Sequence, residues 1–173
     1  NPDALGLLEG QGFPPGGGIV ANPNCTTQGV ALALAPLHAA FGVRSIHATS
    51  LQALSGAGDG GVPASLAVDN VIPWIEGEEE KLAAELPKIL GGPVGVSAHC
   101  TRVPVTDGHL VTLSVSLGRR VSAEAARGVL RGFRGVPQAL ALPSAPRFPL
   151  HLVPGETGPL PRIHRDLEGG MAV

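Results

Sequence analysis

Apolar residues recur along the chain with different periods, and each stretch predicts an element. From Cys25 through His38 the residues are mostly Ala, Leu and Val. Thr26 and Thr27, just after Asn24, suit a helix start at which polar side chains cap free N–H groups. Ahead of it, the turn-rich Phe13-Pro-Pro-Gly-Gly-Gly18 leads into a short apolar strand, Gly18 to Ala21, and Asn22-Pro23-Asn24 marks another turn. Val43 to Leu54 alternates through Ile46, Thr49 and Leu51, which predicts a strand running into the glycine loop Ser55 to Gly61. Ala64 to Val71 reads as a short helix. Leu82, Leu86 and Leu90 recur at helical spacing behind the acidic stretch Glu76 to Glu80, itself a solvated helix start, and Pro87 is expected to break or kink that helix. Gly95 to Val105 and His109 to Leu117 read as two strands joined at Thr106-Asp107-Gly108, predicting an antiparallel hairpin. Ser122 caps an amphipathic helix to Phe133, with Ala125, Val129 and Phe133 four residues apart. Prolines punctuate Val136 to Pro161, and the closing Gly169-Gly-Met-Ala-Val173 begins like a strand.

Composition narrows the classes. With 173 residues, 43% apolar and only 15% charged, the chain has the means to build the core of one domain and is not of disordered composition. Glycine (25) and proline (17) together make about a quarter of it, an excess that belongs to loops. A net charge of −2 and five aromatic side chains offer neither a basic field nor stacking platforms for nucleic acid. The most apolar stretch, Val30 to Val43, includes His38 and is shorter than the roughly 18 residues of a membrane span. Two distant cysteines make no disulfide framework, and Asn1-Pro2-Asp3 lacks the look of an export signal, so a reducing cytoplasm is expected. No internal repeat or dividing linker is visible.

Cys25 is the leading candidate for chemistry. A cysteine at a helix start meets free N–H groups and the positive end of the helix dipole, both of which favour a thiolate. The alternative is a small buried hydrophobe. Cys100, within a strand, reads as a packed residue. Any of six histidines (His38, His47, His99, His109, His151, His164) could serve as acid or base. His109 stands out because it follows a turn that could project it into a cleft, although solvent-facing turn histidines are common. Arg102 reads equally as an ion-paired surface residue or an anion clamp. The glycine run after Gln52 lacks the pattern of a dinucleotide fingerprint or a phosphate loop. A zinc site of His99, Cys100, Cys25 and His109 is disfavoured by its spacing, and no metal is expected.

Four blocks, Asn22-Pro-Asn-Cys-Thr-Thr27, Leu51-Gln-Ala-Leu-Ser-Gly-Ala-Gly58, Asp69-Asn-Val-Ile-Pro-Trp-Ile-Glu-Gly-Glu-Glu-Glu-Lys81 and Arg102-Val-Pro-Val-Thr-Asp-Gly-His109, stand in the order and spacing of the aspartate-semialdehyde dehydrogenases. The third most resembles the branch found in archaea and some bacteria and fungi. Related malonyl-CoA reductases share much of the pattern. The resemblance implies an α/β (α+β) fold, a mixed, largely antiparallel sheet with helices on one face, as in the catalytic domain of glyceraldehyde-3-phosphate-dehydrogenase-like enzymes. It implies that residues 1–173 are one catalytic and dimerisation domain, without the family's dinucleotide-binding half or its last helix. The implied reaction is the NADPH-dependent reductive dephosphorylation of 4-phospho-L-aspartate to aspartate 4-semialdehyde, on the route to lysine, threonine and methionine. In it Cys25 is the nucleophile and His109 the acid/base. Gln52, Arg102, Glu78, Lys81 and Asn24 match substrate-side positions, and Ser55 and Gly56 match a nicotinamide-side contact with NADP. The implied partners are the small-molecule substrate, phosphate and further copies of the chain in a dimer or tetramer. A stand-alone binding or dimerisation module without turnover is the alternative of a different class. Thr26 stands where a serine is common, and Gln28 is less usual after the threonines.

Overall fold

The computed structural model describes residues 1–155 and 157–173. Helix α1 (Cys25–Phe41) opens where Asn24 Oδ1 accepts from the backbone N–H groups of Thr26 (2.9 Å) and Thr27 (3.4 Å). That side chain satisfies two of the four donors a helix start leaves unpaired. The helix closes at Gly42, whose φ of 71° suits a residue without Cβ. The N–H of Val43 then donates to His38 Nδ1 (3.1 Å), tying the helix end to strand β1 (Val43–Gln52). A 3-10 turn (Leu54–Ala57), the one-turn helix α2 (Ala64–Ala67), α3 (Glu78–Leu90), β2 (Gly95–Arg102), β3 (Leu110–Leu117) and α4 (Ala123–Gly132) follow. Among the described residues, the proline-rich remainder holds only single turns at Val136–Ala139 and Pro161–His164 and a 3-10 segment at Leu167–Gly170. Among the described residues no helix is long and apolar enough to cross a membrane.

The strand order is β2-β1-β3, with β1 parallel to β2 and antiparallel to β3. The expected hairpin of β2 with β3 is therefore corrected: the two lie at opposite edges. Burial explains the order. Ile46, Ala48, Ser50 and Gln52 of β1 are all buried on one face, so this strand takes the middle, where both neighbours protect it. The connection out of β2 arches over the end of β1, as Leu54 and Ser55 donate their N–H groups to Val105 O (2.8 Å) and Thr106 O (3.1 Å).

Helices α1 and α3 cover that same face. Val30, Ala31 and Leu34 of α1 and Leu82 and Leu86 of α3 close one core over Val43, Ile46 and Ala48. The mixed α/β architecture with helices on one face is as expected, with one antiparallel pairing of the two. Pro87 does not break α3, which continues to Leu90 and ends at Gly91. A proline in a helix interior costs about 3 kcal/mol, whereas fully burying Leu82 and Leu86, both 0% exposed, contributes about 1.5–3 kcal/mol each. Packing wins.

Three smaller expectations are also corrected. Gly18 to Ala21 forms no strand, because both backbone groups of Ile19 are engaged by the Gln11 side chain (2.9 Å each). Ala64 to Val71 is helical only to Ala67, since Val68 is already extended and Asp69 takes a φ of 54°. The closing Gly169 to Val173 is not a strand, because Gly169 and Gly170 are left-handed (φ 68° and 81°). Val173 alone makes ladder-like bonds, to Pro149 and His151.

Candidate active site

Topology gathers the candidate residues at one corner. The β1/β2 register sets Gln52 beside Arg102, and the β1/β3 register sets Leu110 opposite Leu51, which leaves His109 just past the end of β1. The first turn of α1 reaches the same corner and brings Cys25 with it. His109 Nε2 lies 3.3 Å from Cys25 Sγ across 84 residues of sequence. Cys25 is exposed and Cys100 is buried, so only the first thiol is open to a reagent. Burial pushes the Cys100 thiol up from its ordinary value.

His109 is held from behind, where the backbone N–H of Ala53 donates to its Nδ1 (3.1 Å). Burial, and after it the Arg102 charge, lower its pKa below the ordinary imidazole value, against the opposing pull of Glu78 and Asp107. It is thus not the solvent-facing turn histidine that sequence left open.

Arg102 is 6% exposed, which removes the surface ion-pair reading. Its Nη1 donates to Ala53 O (2.9 Å) and Gln52 Oε1 (3.4 Å). Among the described residues no carboxylate lies within ion-pair distance of it. Its remaining N–H groups are free to meet an anion.

Glu78 is the hub on the other side. Its Oε1 accepts from Asn24 Nδ2 (3.0 Å) and Lys81 Nζ (3.0 Å), and its Oε2 from Asn24 Nδ2 (2.9 Å) and Gln52 Nε2 (3.0 Å). Burial alone would raise its pKa, but the hydrogen bonds from Gln52, Lys81 and Asn24 outweigh it and hold the carboxyl below its ordinary value. Lys81, hydrogen-bonded to Glu78, is raised, and its side chain stays half exposed. Glu79 instead accepts from the N–H of Cys100 (3.0 Å), and Glu80 faces solvent. Of the acidic run, Glu78 alone points into the site.

Ser55 and Gly56 sit exposed on the 3-10 turn at the mouth. Ser55 Oγ donates to Asp107 Oδ1 (2.8 Å) and holds that carboxyl low. A Cβ on Gly56 would stand 2.8 Å from both Arg102 Nη1 and His109 Cε1. Glycine is needed there for close approach. Among the described residues no three His, Cys, Asp or Glu side chains converge on a metal position. Three participants escaped the sequence reading. Ala53 acts through its main chain, Thr26 Oγ1 accepts from Gln52 Nε2 (2.9 Å), and Glu85 Oε2 accepts from the N–H of Asn24 (2.9 Å). Glu78, Lys81 and Glu85 fall on one helical face. That spacing was the available signal for Glu85; Ala53 offered none.

Residues 34–171 match the family model described as semialdehyde dehydrogenase, dimerisation domain. An aspartate-semialdehyde dehydrogenase of Methanothermobacter thermautotrophicus is 41% identical over 184 residues, covering 100% of this chain and 53% of the relative. One from Aspergillus fumigatus is 39% identical, again over 100% of this chain and 53% of the relative. The chain thus spans about half the length of these relatives. Among solved structures, aspartate semialdehyde dehydrogenase with NADP from Candida albicans superposes with a TM-score of 0.84 at 32% identity, covering 96% of this chain and 52% of that one. Aspartate semialdehyde dehydrogenase II complexed with ASA from Vibrio cholerae reaches 0.66 at 27% identity, over 79% and 49% of the two chains.

Proposed function

Because this chain belongs to the semialdehyde dehydrogenase family through its dimerisation domain, we propose that its protein reduces 4-phospho-L-aspartate to aspartate 4-semialdehyde with release of phosphate. The observation that carries the reading is the Cys25–His109 contact of 3.3 Å beside the uncompensated, buried Arg102. The names of the relatives supply the substrate class.

Cys25 attacks the acyl carbon as the thiolate that a helix start favours, the carbon–oxygen bond to phosphate breaks with its electron pair leaving on the phosphate oxygen, and a thioester forms on Cys25. Bound NADPH supplies the hydride that reduces the thioester. The exposed Ser55–Gly56 turn fits the nicotinamide end of that cofactor, since it brings bare backbone close to His109 and Arg102. The Nε2–H of His109 faces the oxygen as it gains negative charge and donates to it, and when the carbonyl bond re-forms the carbon–sulfur bond breaks and Cys25 leaves as the thiolate. Arg102 clamps the substrate α-carboxylate with paired N–H groups. Lys81 meets the phosphate. Gln52 and Asn24, each held by Glu78, orient the acyl group. Glu78 already accepts four hydrogen bonds, so a substrate ammonium reaches it only by displacing one of them.

A second copy of the chain is the proposed macromolecular partner. Among the described residues nothing covers the sheet face opposite the helices, which exposes Ser45, His47, Ser97, His99, Ser114 and Ser116, a polar surface suited to pairing with itself.

The test is a steady-state assay of the full-length protein with aspartate semialdehyde, phosphate and NADP, set against malonyl-CoA with NADPH. Turnover of the first set, abolished by Cys25→Ala, is expected. Turnover of the CoA thioester alone would replace the proposed substrate with a malonyl-CoA one, and no turnover of either would favour a binding module.

A further inference from the structure

We propose that the main chain of Ala53 is a positioning element that holds His109 in the tautomer carrying its proton on Nε2, so that the resting imidazole meets Cys25 as a neutral hydrogen-bond donor. The opposite arrangement, an imidazolium that has taken the proton of the sulfur, does not fit this geometry.

The Ala53 amide has a proton to give and no lone pair to offer. The ring nitrogen that faces it at 3.1 Å, Nδ1, must therefore be the unprotonated one. In a neutral imidazole the proton then sits on Nε2, the atom 3.3 Å from Cys25 Sγ. An imidazolium would set two N–H groups against each other at Ala53. The amide cannot turn away to relieve this. Ala53 is 0% exposed, its carbonyl accepts from Arg102 (2.9 Å), and both flanking residues are bonded to the arch, Gln52 O to Val103 N–H (3.0 Å) and Leu54 N–H to Val105 O (2.8 Å). On its other side the ring rests against Gly56 too closely for a Cβ.

The charged surroundings point the same way. Arg102 on β2 disfavours a second positive charge, while Glu78 on α3 and Asp107 on the arch favour one; burial and Arg102 prevail. Lys81 on α3 is paired with Glu78 (3.0 Å), and Arg165 donates to Asp107 O (3.0 Å), which adds a further cation to this side. The same Nε2–H that faces sulfur at rest can face an oxygen as it gains negative charge, a fixed donor that needs no reorganisation. One peptide thus aligns two functional side chains, the histidine by its N–H and the arginine by its carbonyl.

The inference concerns the proton at rest and stands apart from which substrate is turned over. It is tested by long-range ¹H–¹⁵N spectra of the full-length protein labelled in its histidine rings, near neutral pH, with His109 assigned by His109→Asn. A pyridine-like Nδ1 and a protonated Nε2 are expected. Cys25→Ala should leave that pattern unchanged, because the peptide sets it and not the sulfur. A protonated Nδ1, two protonated nitrogens, or a tautomer change in Cys25→Ala would overturn the proposal. Ala53→Pro removes the N–H at a residue whose φ of −68° already suits proline. It should mix the tautomers and slow alkylation of Cys25 roughly tenfold, the scale of one lost hydrogen bond; unchanged tautomer and rate would count against Ala53. Should that variant not fold, the spectra of the parent protein and Cys25→Ala decide alone.

Discussion

At the scale of the residue, two cysteines of the same chain have opposite surroundings. Cys25 is open at a helix start beside His109, whereas Cys100 is 1% exposed on the core side of β2. A mild thiol reagent near neutral pH should modify Cys25 and spare Cys100, as read by mass spectrometry of the native protein. Equal labelling would remove the nucleophile assignment. Arg102 invites a similar comparison. Lysine keeps its charge but not its paired planar donors, so Arg102→Lys should lower kcat/KM by roughly 30- to 100-fold, about 2–3 kcal/mol for a charge-assisted hydrogen bond. A variant with unaltered kcat/KM would mean that the anion binds elsewhere. Cys25 and His109 could be singled out in sequence because each sits beside a turn signal, Asn22-Pro23-Asn24 or Thr106-Asp107-Gly108, whereas Arg102, inside a strand, read equally as a surface ion-pair partner and an anion clamp. Glu85 and Ala53 could not, since the first carries nothing but its helical spacing and the second contributes only backbone.

At the scale of the element, the N-terminus of α1 joins stability to chemistry. Asn24 caps the helix with Oδ1, donates to Glu78 with Nδ2 and is held at its own N–H by Glu85. Asn24→Ala should cost about 1 kcal/mol of stability, the usual worth of a cap, and should also slow Cys25 labelling. Denaturant titration and alkylation rates measured on one sample distinguish the effects. Destabilisation with an unaltered rate would make Asn24 a cap alone. Helix α1 was legible from its run of Ala, Leu and Val behind the Asn22-Pro23-Asn24 turn, β1 from its alternation, although it ends at Gln52 and not Leu54, and α4 from its four-residue apolar spacing behind Ser122. The pairing of β2 with β3 was misread because a turn signal between two strands specifies only that the chain reverses, and here it reverses across a third strand. Pro87 leaves α3 unbroken because local propensity weighs less than two fully buried leucines.

At the scale of the whole molecule, acid should remove stability over two successive pH ranges. The folded state holds His109 below its ordinary value of 6.5, so as pH falls past that value the unfolded chain binds a proton that the folded one refuses. Stability then drops until the folded value is reached. Glu78, held below 4.5, adds a second loss once its carboxyl begins to protonate in the unfolded chain. Thermal melts from about pH 7.5 to about pH 5 should show Tm falling with pH, with a shallower slope in His109→Gln; identical slopes would separate His109 from this effect. The uncovered sheet face gives the last prediction. His47→Glu, at the middle strand of that face, should shift sedimentation toward monomer without altering the melting of the separated chain, and an unchanged oligomer would place the partner elsewhere. Sequence by itself determined the helix that begins at Cys25, the strand that begins at Val43 and the residue types available for chemistry, since these depend on contacts only a few positions apart. Tertiary structure alone decided that β1 lies between β2 and β3. That order carries Cys25, Gln52, Arg102 and His109 to one corner, because the central strand is the one whose face the helices bury, and every residue at its end must share the same small space.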